Sequence, residues 1–319
     1  MRRVLRIFPL YYLTLFALLL VAAAAPRWVM FNGIRSWPEQ LAYVFYLQNW
    51  LPVLKGSRYV SAIPIGHFWS LAVEEQFYLV WPWLVWWLAP RTVVRLCIAG
   101  CVAALLLRVI LVSHFGPHLW IHMLTATRGE GLLVGSALAA VAATQECVPK
   151  RWLIALASAG TAIIGFILIY HPIELTDTDA GPYIYTIGIS GLALLFGALV
   201  GSSSYFIPLL TPFLNQGGLK RWGKYSYGIY VYHLPIYVAI FAGLKKFGVR
   251  FPLQIQYSVV LTCAELALTY AVAWVSDTFL ENKLLRLKRF WEPDVRTGVP
   301  FPEPPAKEFS SQLAGNFSS

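Results

Sequence analysis

Charge is scarce in this sequence. Asp, Glu, Lys and Arg make up 13% of its 319 residues against 58% hydrophobic ones, and the mean hydropathy is +0.61. Soluble domains run nearer a quarter charged, so the polar surface of a water-facing globule is missing and a soluble fold is excluded. Acidic residues are scarcest, 15 against 25 basic ones, which leaves a net charge of +10. The excess sits between apolar runs and not in one patch, so it argues against nucleic acid as a partner and for membrane orientation. Cysteine is equally sparse. Cys97, Cys101, Cys147 and Cys263 are scattered, which suits no disulfide framework. Cys97 and Cys101 stand four apart without further ligands, so packing is the better reading and no metal site is expected. No cleavable leader is evident after Met1, and there is no repeat and no second soluble domain.

What is abundant is apolar sequence in runs of about 20 residues, the length that crosses ~30 Å of hydrocarbon. The pattern predicts an all-α, polytopic transmembrane helix bundle of about eight spans in the lipid bilayer. They run Leu10–Ala25, His67–Ala89 with Pro82 inside it, Thr92–Val112, Leu124–Ala143, Trp152–Tyr170, Tyr183–Val200, Tyr225–Leu244 and Leu253–Ser276. Trp37–Trp50 is apolar and aromatic but too short to cross, so it is expected at the interface or as a re-entrant segment. Thirteen Trp and seventeen Tyr suit aromatic belts. With the N-terminus cytoplasmic, fourteen basic residues fall on inside segments and seven on outside ones, so both termini are expected in the cytoplasm. Residues 1–280 form the membrane domain. Residues 281–290 read as an amphipathic juxtamembrane helix on an anionic leaflet, and 291–319 as a disordered Pro/Ser-rich tail. Asn316-Phe-Ser318 has the N-glycosylation pattern by chance, on a tail expected inside.

Ionisable residues at membrane depth carry the functional signal. In the second span His67, Ser70, Glu74 and Tyr78 recur at helical spacing and share one face, with Glu75 pointing away. Glu74 falls about 10 Å below the outer end by helical rise. It is either a carboxylate orienting or deprotonating a reacting group, with His67 as acid/base companion, or half of a structural ion pair with Arg128 or Arg108. Arg128, opening the fourth span, could neutralise Glu74 or Glu130 or clamp an anion. Gly131-Leu-Leu-Val-Gly135 has the small-xxx-small spacing of close helix packing. Arg3 and Arg6 share a face just before the first span, either as topology anchors or as a phosphate site. His233 falls about 12 Å into the seventh span, bonded within the bundle or part of a polar route. His114, His118, His122 and His171 read as solvated loop residues.

Four motifs then stand in one order: Arg2-Arg-Val-Leu-Arg-Ile-Phe-Pro-Leu-Tyr-Tyr12, His67-Phe-Trp-Ser-Leu-Ala-Val-Glu-Glu-Gln-Phe-Tyr-Leu-Val-Trp-Pro82, Arg128 with Leu132-Leu-Val-Gly135, and Gly223-Lys-Tyr-Ser-Tyr-Gly-Ile-Tyr-Val-Tyr-His-Leu-Pro-Ile236. Together they resemble the acyltransferase-3 family of integral membrane O-acyltransferases up to about residue 290. The resemblance implies a bacterial inner- or cell-membrane enzyme that moves an acyl group, usually acetyl, from a CoA donor to a hydroxyl. The acceptor would be a glycan, lipid-linked sugar or other small molecule. Acetyl-CoA or another acyl-CoA is then a donor substrate, and no cofactor is permanently bound. It strengthens Arg3 and Arg6 as CoA phosphate contacts and Glu74 as a catalytic carboxylate, with Ser70, Tyr78, Arg128 and His233 as substrate-binding or structural polar groups. The family implies about ten spans, with an arginine and the presumed catalytic histidine in the first. Eight spans from Met1 therefore read as an N-terminally truncated chain without that histidine. The competing readings are a transporter or flippase with a polar route through Glu74, Arg128 and His233, and a non-catalytic membrane partner.

Overall fold

Helices account for all regular structure among the described residues of the computed structural model, which are 2–24, 36–56, 64–145, 147–170, 181–205, 210–246 and 259–285. The chain is an integral membrane protein, and six stretches are long and apolar enough to cross: Val4–Ala24, Pro90–Phe115, Lys150–Tyr170, Ile184–Gly201, Gly217–Lys246 and Val259–Glu281. They correspond to α1 (Arg2–Ala24), α5 (Pro90–Phe115), α8 (Lys150–Tyr170), α9 (Ile189–Gly201, entered through a π turn), α11 (Gly217–Lys246) and α12 (Val259–Ser276, leaving through a π turn). Two more bring the bundle to the eight helices expected: α4 (Trp69–Trp87) and the apolar but shorter α7 (Glu130–Gln145). α4 misses the apolar set because it carries Glu74, Glu75 and Gln76. Short connectors complete the order: α2 (Trp37–Val44), α3 (Leu51–Lys55), α6 (Thr125–Arg128), α10 (Leu210–Leu214) and α13 (Asn282–Leu285).

The helices assort into two groups. α5 packs on α7, α7 on α9 and α9 on α8, while α11 packs on α12 and α1. α4 lies between the groups, touching α5 and α6 on one side and the α2–α3 segment on the other. The outer surface is apolar: Leu20 is 70% exposed and Trp86 and Trp87 each 81%. Exposed side chains of this kind suit lipid, and the polar groups turn inward.

Several boundaries move. The first helix starts at Arg2 and not at residue 10, so Arg3 and Arg6 lie in its first turns; Pro9 is accommodated inside it. The fourth span starts at Glu130, with Arg128 on the preceding α6. The seventh starts at Gly217, eight residues before Tyr225. The boundary at 280/281 falls inside continuous helix, where Glu281 is buried and α13 packs against α1. Residues 286–319 lie outside the described residues.

Trp37–Trp50 folds into the bundle. The Ser36 N–H donates to Glu39 at 3.4 Å to close the first turn of α2, and Lys55 at the end of α3 pairs with Glu39. Between α2 and a 3-10 turn at Gln48–Trp50, Tyr46 adopts φ +56°, a left-handed conformation costly for a bulky residue. Its ring stacks on Tyr11 of α1 at 4.4 Å, and its carbonyl accepts from Gln76 of α4 at 2.7 Å. Tyr11, Tyr43, Leu51, Ile65 and Phe68 form one buried cluster that seats this segment and the mouth of α4 against α1.

Candidate active site between α4, α7 and α9

A cavity of about 450 Å³ opens between these three helices. Ser70 and Glu74 line it from α4, Arg128 from α6, Gly131 and Gly135 from α7, and Ile189, Leu192 and Phe196 from α9. A carboxylate, a hydroxyl and a guanidinium thus converge on an otherwise apolar chamber, the arrangement that suits general-base chemistry beside a charge stabiliser. A Cβ on Gly131 or Gly135 would meet nothing within 4 Å. Their small-xxx-small spacing therefore does not bring helices together as expected; it leaves space on the α7 wall. Close approach occurs elsewhere, where a Cβ on Gly160 would fall 2.8 Å from the carbonyl of Gly191.

Glu130 is bonded to Arg108 and lies within electrostatic reach of Arg128. Arg108, fully buried, donates to Glu130 at 2.7 Å, Ser190 at 2.7 Å, Thr186 O at 3.1 Å and Thr127 O at 2.5 Å, and Ser190 closes the ring onto Glu130 at 3.1 Å. Arg108 therefore takes Glu130 as its ion-pair partner. Arg128 lies with its guanidinium carbon 5.8 Å from the Trp69 ring centroid, at the cavity wall.

The expected polar face of α4 divides. Ser70 and Glu74 line the cavity, whereas His67 does not: it belongs to a 3-10 turn, Gly66–Phe68, ahead of the α-helical repeat, and faces α11. Its Nε2–H donates to the Tyr230 carbonyl at 2.9 Å, and His233 Nδ1–H donates to the same oxygen at 2.7 Å. A carbonyl only accepts, so these two nitrogens carry protons, while His67 Nδ1 is buried and without a hydrogen-bond partner. The Tyr230 hydroxyl donates to His67 O, so Ser70 donates to Tyr230 across 2.5 Å and ties the histidine cluster to the cavity. Tyr230 lies thirteen residues into α11, so the start of α4 abuts the middle of that helix and not its end, and His233 sits at the same level. Tyr78 is half-buried on α4 away from the cavity lining, and Glu75 acts electrostatically on Tyr12, Tyr46 and Tyr227.

Three features went unread in the sequence. Gln76 bonds Asn49 at 3.0 Å and accepts from Thr125, joining α4 to the inserted segment and α6; its place in the motif was the available signal. Lys224 pairs with Asp277 at 2.5 Å, and Arg6 reaches the Lys224 carbonyl at 3.4 Å beside Glu281; the acids follow the last span and gave no signal. His122 is not solvated but lies between Trp69, met edge-on at 5.4 Å, and Tyr185, stacked at 5.3 Å. The Arg3 side chain and His171 lie outside the described residues. Among the described residues no group of three or more His, Cys, Asp and Glu is placed to hold a metal ion.

Residues 1–276 match the family described as an acyltransferase domain. The chain belongs to this family. Within it the chain is similar to the peptidoglycan O-acetyltransferase OatA of Listeria monocytogenes, 28% identical over 260 residues, 77% of this chain and 40% of that protein. It is also similar to the O-acetyltransferase OatA of Staphylococcus aureus, 29% identical over 77% of this chain and 41% of that protein. The putative peptidoglycan O-acetyltransferase YrhL of Bacillus subtilis is 26% identical over 84% of the chain and 43% of its own length. The chain thus spans about two fifths of the length of the curated relatives it matches. No solved structure matches it. The acyltransferase domain takes in the whole cavity and the His67–Tyr230–His233 cluster, and it ends one residue before Asp277.

Proposed function

We propose that this chain is the membrane part of an O-acyltransferase that moves an acetyl group from a CoA thioester to a glycan hydroxyl, in a bacterial cell membrane with both termini cytoplasmic. Membership of the acyltransferase family supports the reaction class, and the names of its relatives support peptidoglycan or a related glycan as acceptor. The observation that carries the site is the cavity where Glu74, Ser70 and Arg128 converge. Glu74 takes the proton of the acceptor hydroxyl as its oxygen attacks the acyl carbon. Arg128 steadies negative charge developing on the acyl oxygen. The C–S bond then breaks, the ester C–O bond stands, and the CoA thiolate leaves and takes up a proton. Arg3 and Arg6, at the start of α1, hold the CoA phosphates by fork geometry; Arg6 is exposed and oriented by the Lys224 carbonyl. His67 and His233 act through Tyr230 in positioning Ser70 and the mouth of α4.

The test is transfer of labelled acetyl from acetyl-CoA to glycan in membranes expressing the protein from its own gene. Glu74→Gln at unchanged expression is expected to lower the rate by roughly 10²–10⁴-fold, the span of a lost general base. Wild-type transfer by that variant removes Glu74 from the mechanism. Arg6→Ala is expected to raise KM for the CoA donor with little change in kcat; an unchanged KM removes the phosphate role.

A further inference from the structure

A second cavity, about 770 Å³, has no part in this chemistry. It lies at the other end of α7, where α4 runs into α5 and α7 gives way to α8. Arg91 and Arg95 line it from α5, Thr144 and Gln145 from α7 and Trp152 from α8, over apolar walls such as Val94. The two arginines stand at i, i+4, where like charges repel along a helix. Lys55, Arg108 and Lys224 each have an acidic partner, but neither Arg91 nor Arg95 has an ion pair or hydrogen bond among the described residues. Glu146 lies outside the described residues. Trp86, Trp87 and Trp152 are exposed around this end, as in the aromatic belt at headgroup level.

We infer that this cleft is a binding site for an anionic phospholipid, its phosphate held between Arg91 and Arg95 and an acyl chain laid along the apolar wall. Paired guanidinium groups without an anion among the described residues call for an external one, and phosphate suits their fork geometry. The apolar walls and the tryptophan collar favour a phosphate that arrives on a lipid over one free in solution. Nothing in this inference depends on the acyl-transfer reading.

The experiment uses purified protein in phosphatidylcholine nanodiscs doped with phosphatidylglycerol, with retained lipid counted by native mass spectrometry. The wild type is expected to retain phosphatidylglycerol in preference to phosphatidylcholine. R91A/R95A should weaken that retention about thirtyfold, from the usual contribution of two basic residues at an anionic surface. Ala140→Phe, which fills the cavity and leaves both charges, should also displace the lipid, and Arg221→Ala on α11 should not. Unchanged retention in R91A/R95A, or in Ala140→Phe, overturns the proposal. So does displacement of the lipid by millimolar inorganic phosphate, which would make this a site for soluble phosphate. Size-exclusion profiles identify a variant that fails to fold, and the remaining one then decides.

Discussion

Arg108 has no exposed surface, yet its charge is tolerated because every direction of the guanidinium meets an acceptor: Glu130, Ser190, Thr127 O and Thr186 O. Such a network is robust as a whole and fragile in parts. Removing one partner strands a desolvated charge, so Arg108→Met or Glu130→Leu alone should cost about 3–5 kcal/mol, and the double variant should recover most of it. Thermal unfolding of the purified variants in detergent measures both, and additive losses in the double variant would contradict the coupling. His122 supplies a pH dependence. Burial, and then the Arg128 charge, hold its imidazole down from 6.5 to about 4. Between those values the unfolded chain binds a proton that the folded chain refuses, so stability falls as pH drops from 6.5 toward 4. His122→Phe keeps the ring contacts with Trp69 and Tyr185 and removes the titration; the acid-induced fall in melting temperature over that window should shrink. At this scale much was legible. Glu74, Ser70 and Arg128 stood out as polar groups in apolar runs, and they do meet. What could not be read was pairing: Arg108 and Glu130 are 22 positions apart, and helical spacing gives a face but not the neighbour opposite.

Helices show the same division between pattern and partner. Periodicity located all eight, while starts and ends shifted where polar residues continue a helix past its apolar part, as from Gly217 to Tyr225 in α11. The 3-10 turn before α4 shows why His67 left the predicted face: α-helical spacing was extended across a residue that precedes the α-helix. Pro235 lies beside a tertiary contact. It has no N–H for the Val231 carbonyl one turn back, and His67 and His233 donate to the neighbouring carbonyl, that of Tyr230, within the continuous helix α11. Glycines separate packing from space. Gly160 meets the backbone of α9, so Gly160→Ala should destabilise by about 1–3 kcal/mol through overpacking. Gly135→Ala should leave the melting temperature unchanged, because its Cβ meets nothing. Gly135→Val, protruding into the cavity beside Glu74, should lower transfer while the protein stays folded. A Gly135→Val protein with full activity would separate the cavity from the reaction.

The described helices place an apolar exterior around cavities that carry a few polar groups, and topology sets which cavity faces which compartment. In the proposed topology of eight crossings the Arg2 end of α1 and the Leu285 end of α13 share a face, in keeping with α13 packing on α1. Basic residues give that face a sign. Arg91, Arg95, Lys150 and Arg151 lie at the α4–α5 and α7–α8 connections, which crossing parity puts on the side of Arg6 and Lys224, whereas Lys245 and Lys246 end α11 opposite them. In the proposed topology the positive-inside rule makes the richer side cytoplasmic, the side proposed for the CoA donor, and assigns the proposed acceptor to the other. In a cysteine-free background, Lys246→Cys should react with an impermeant maleimide in intact cells, and Arg151→Cys only after permeabilisation. The opposite pattern would invert the bundle and turn Arg6 away from cytoplasmic acetyl-CoA, which removes the proposed donor side. Labelling of both sites in intact cells would break the crossing parity, and the first helices to re-examine would be α7, at 16 residues about 24 Å long, and α4, which starts beside the middle of α11.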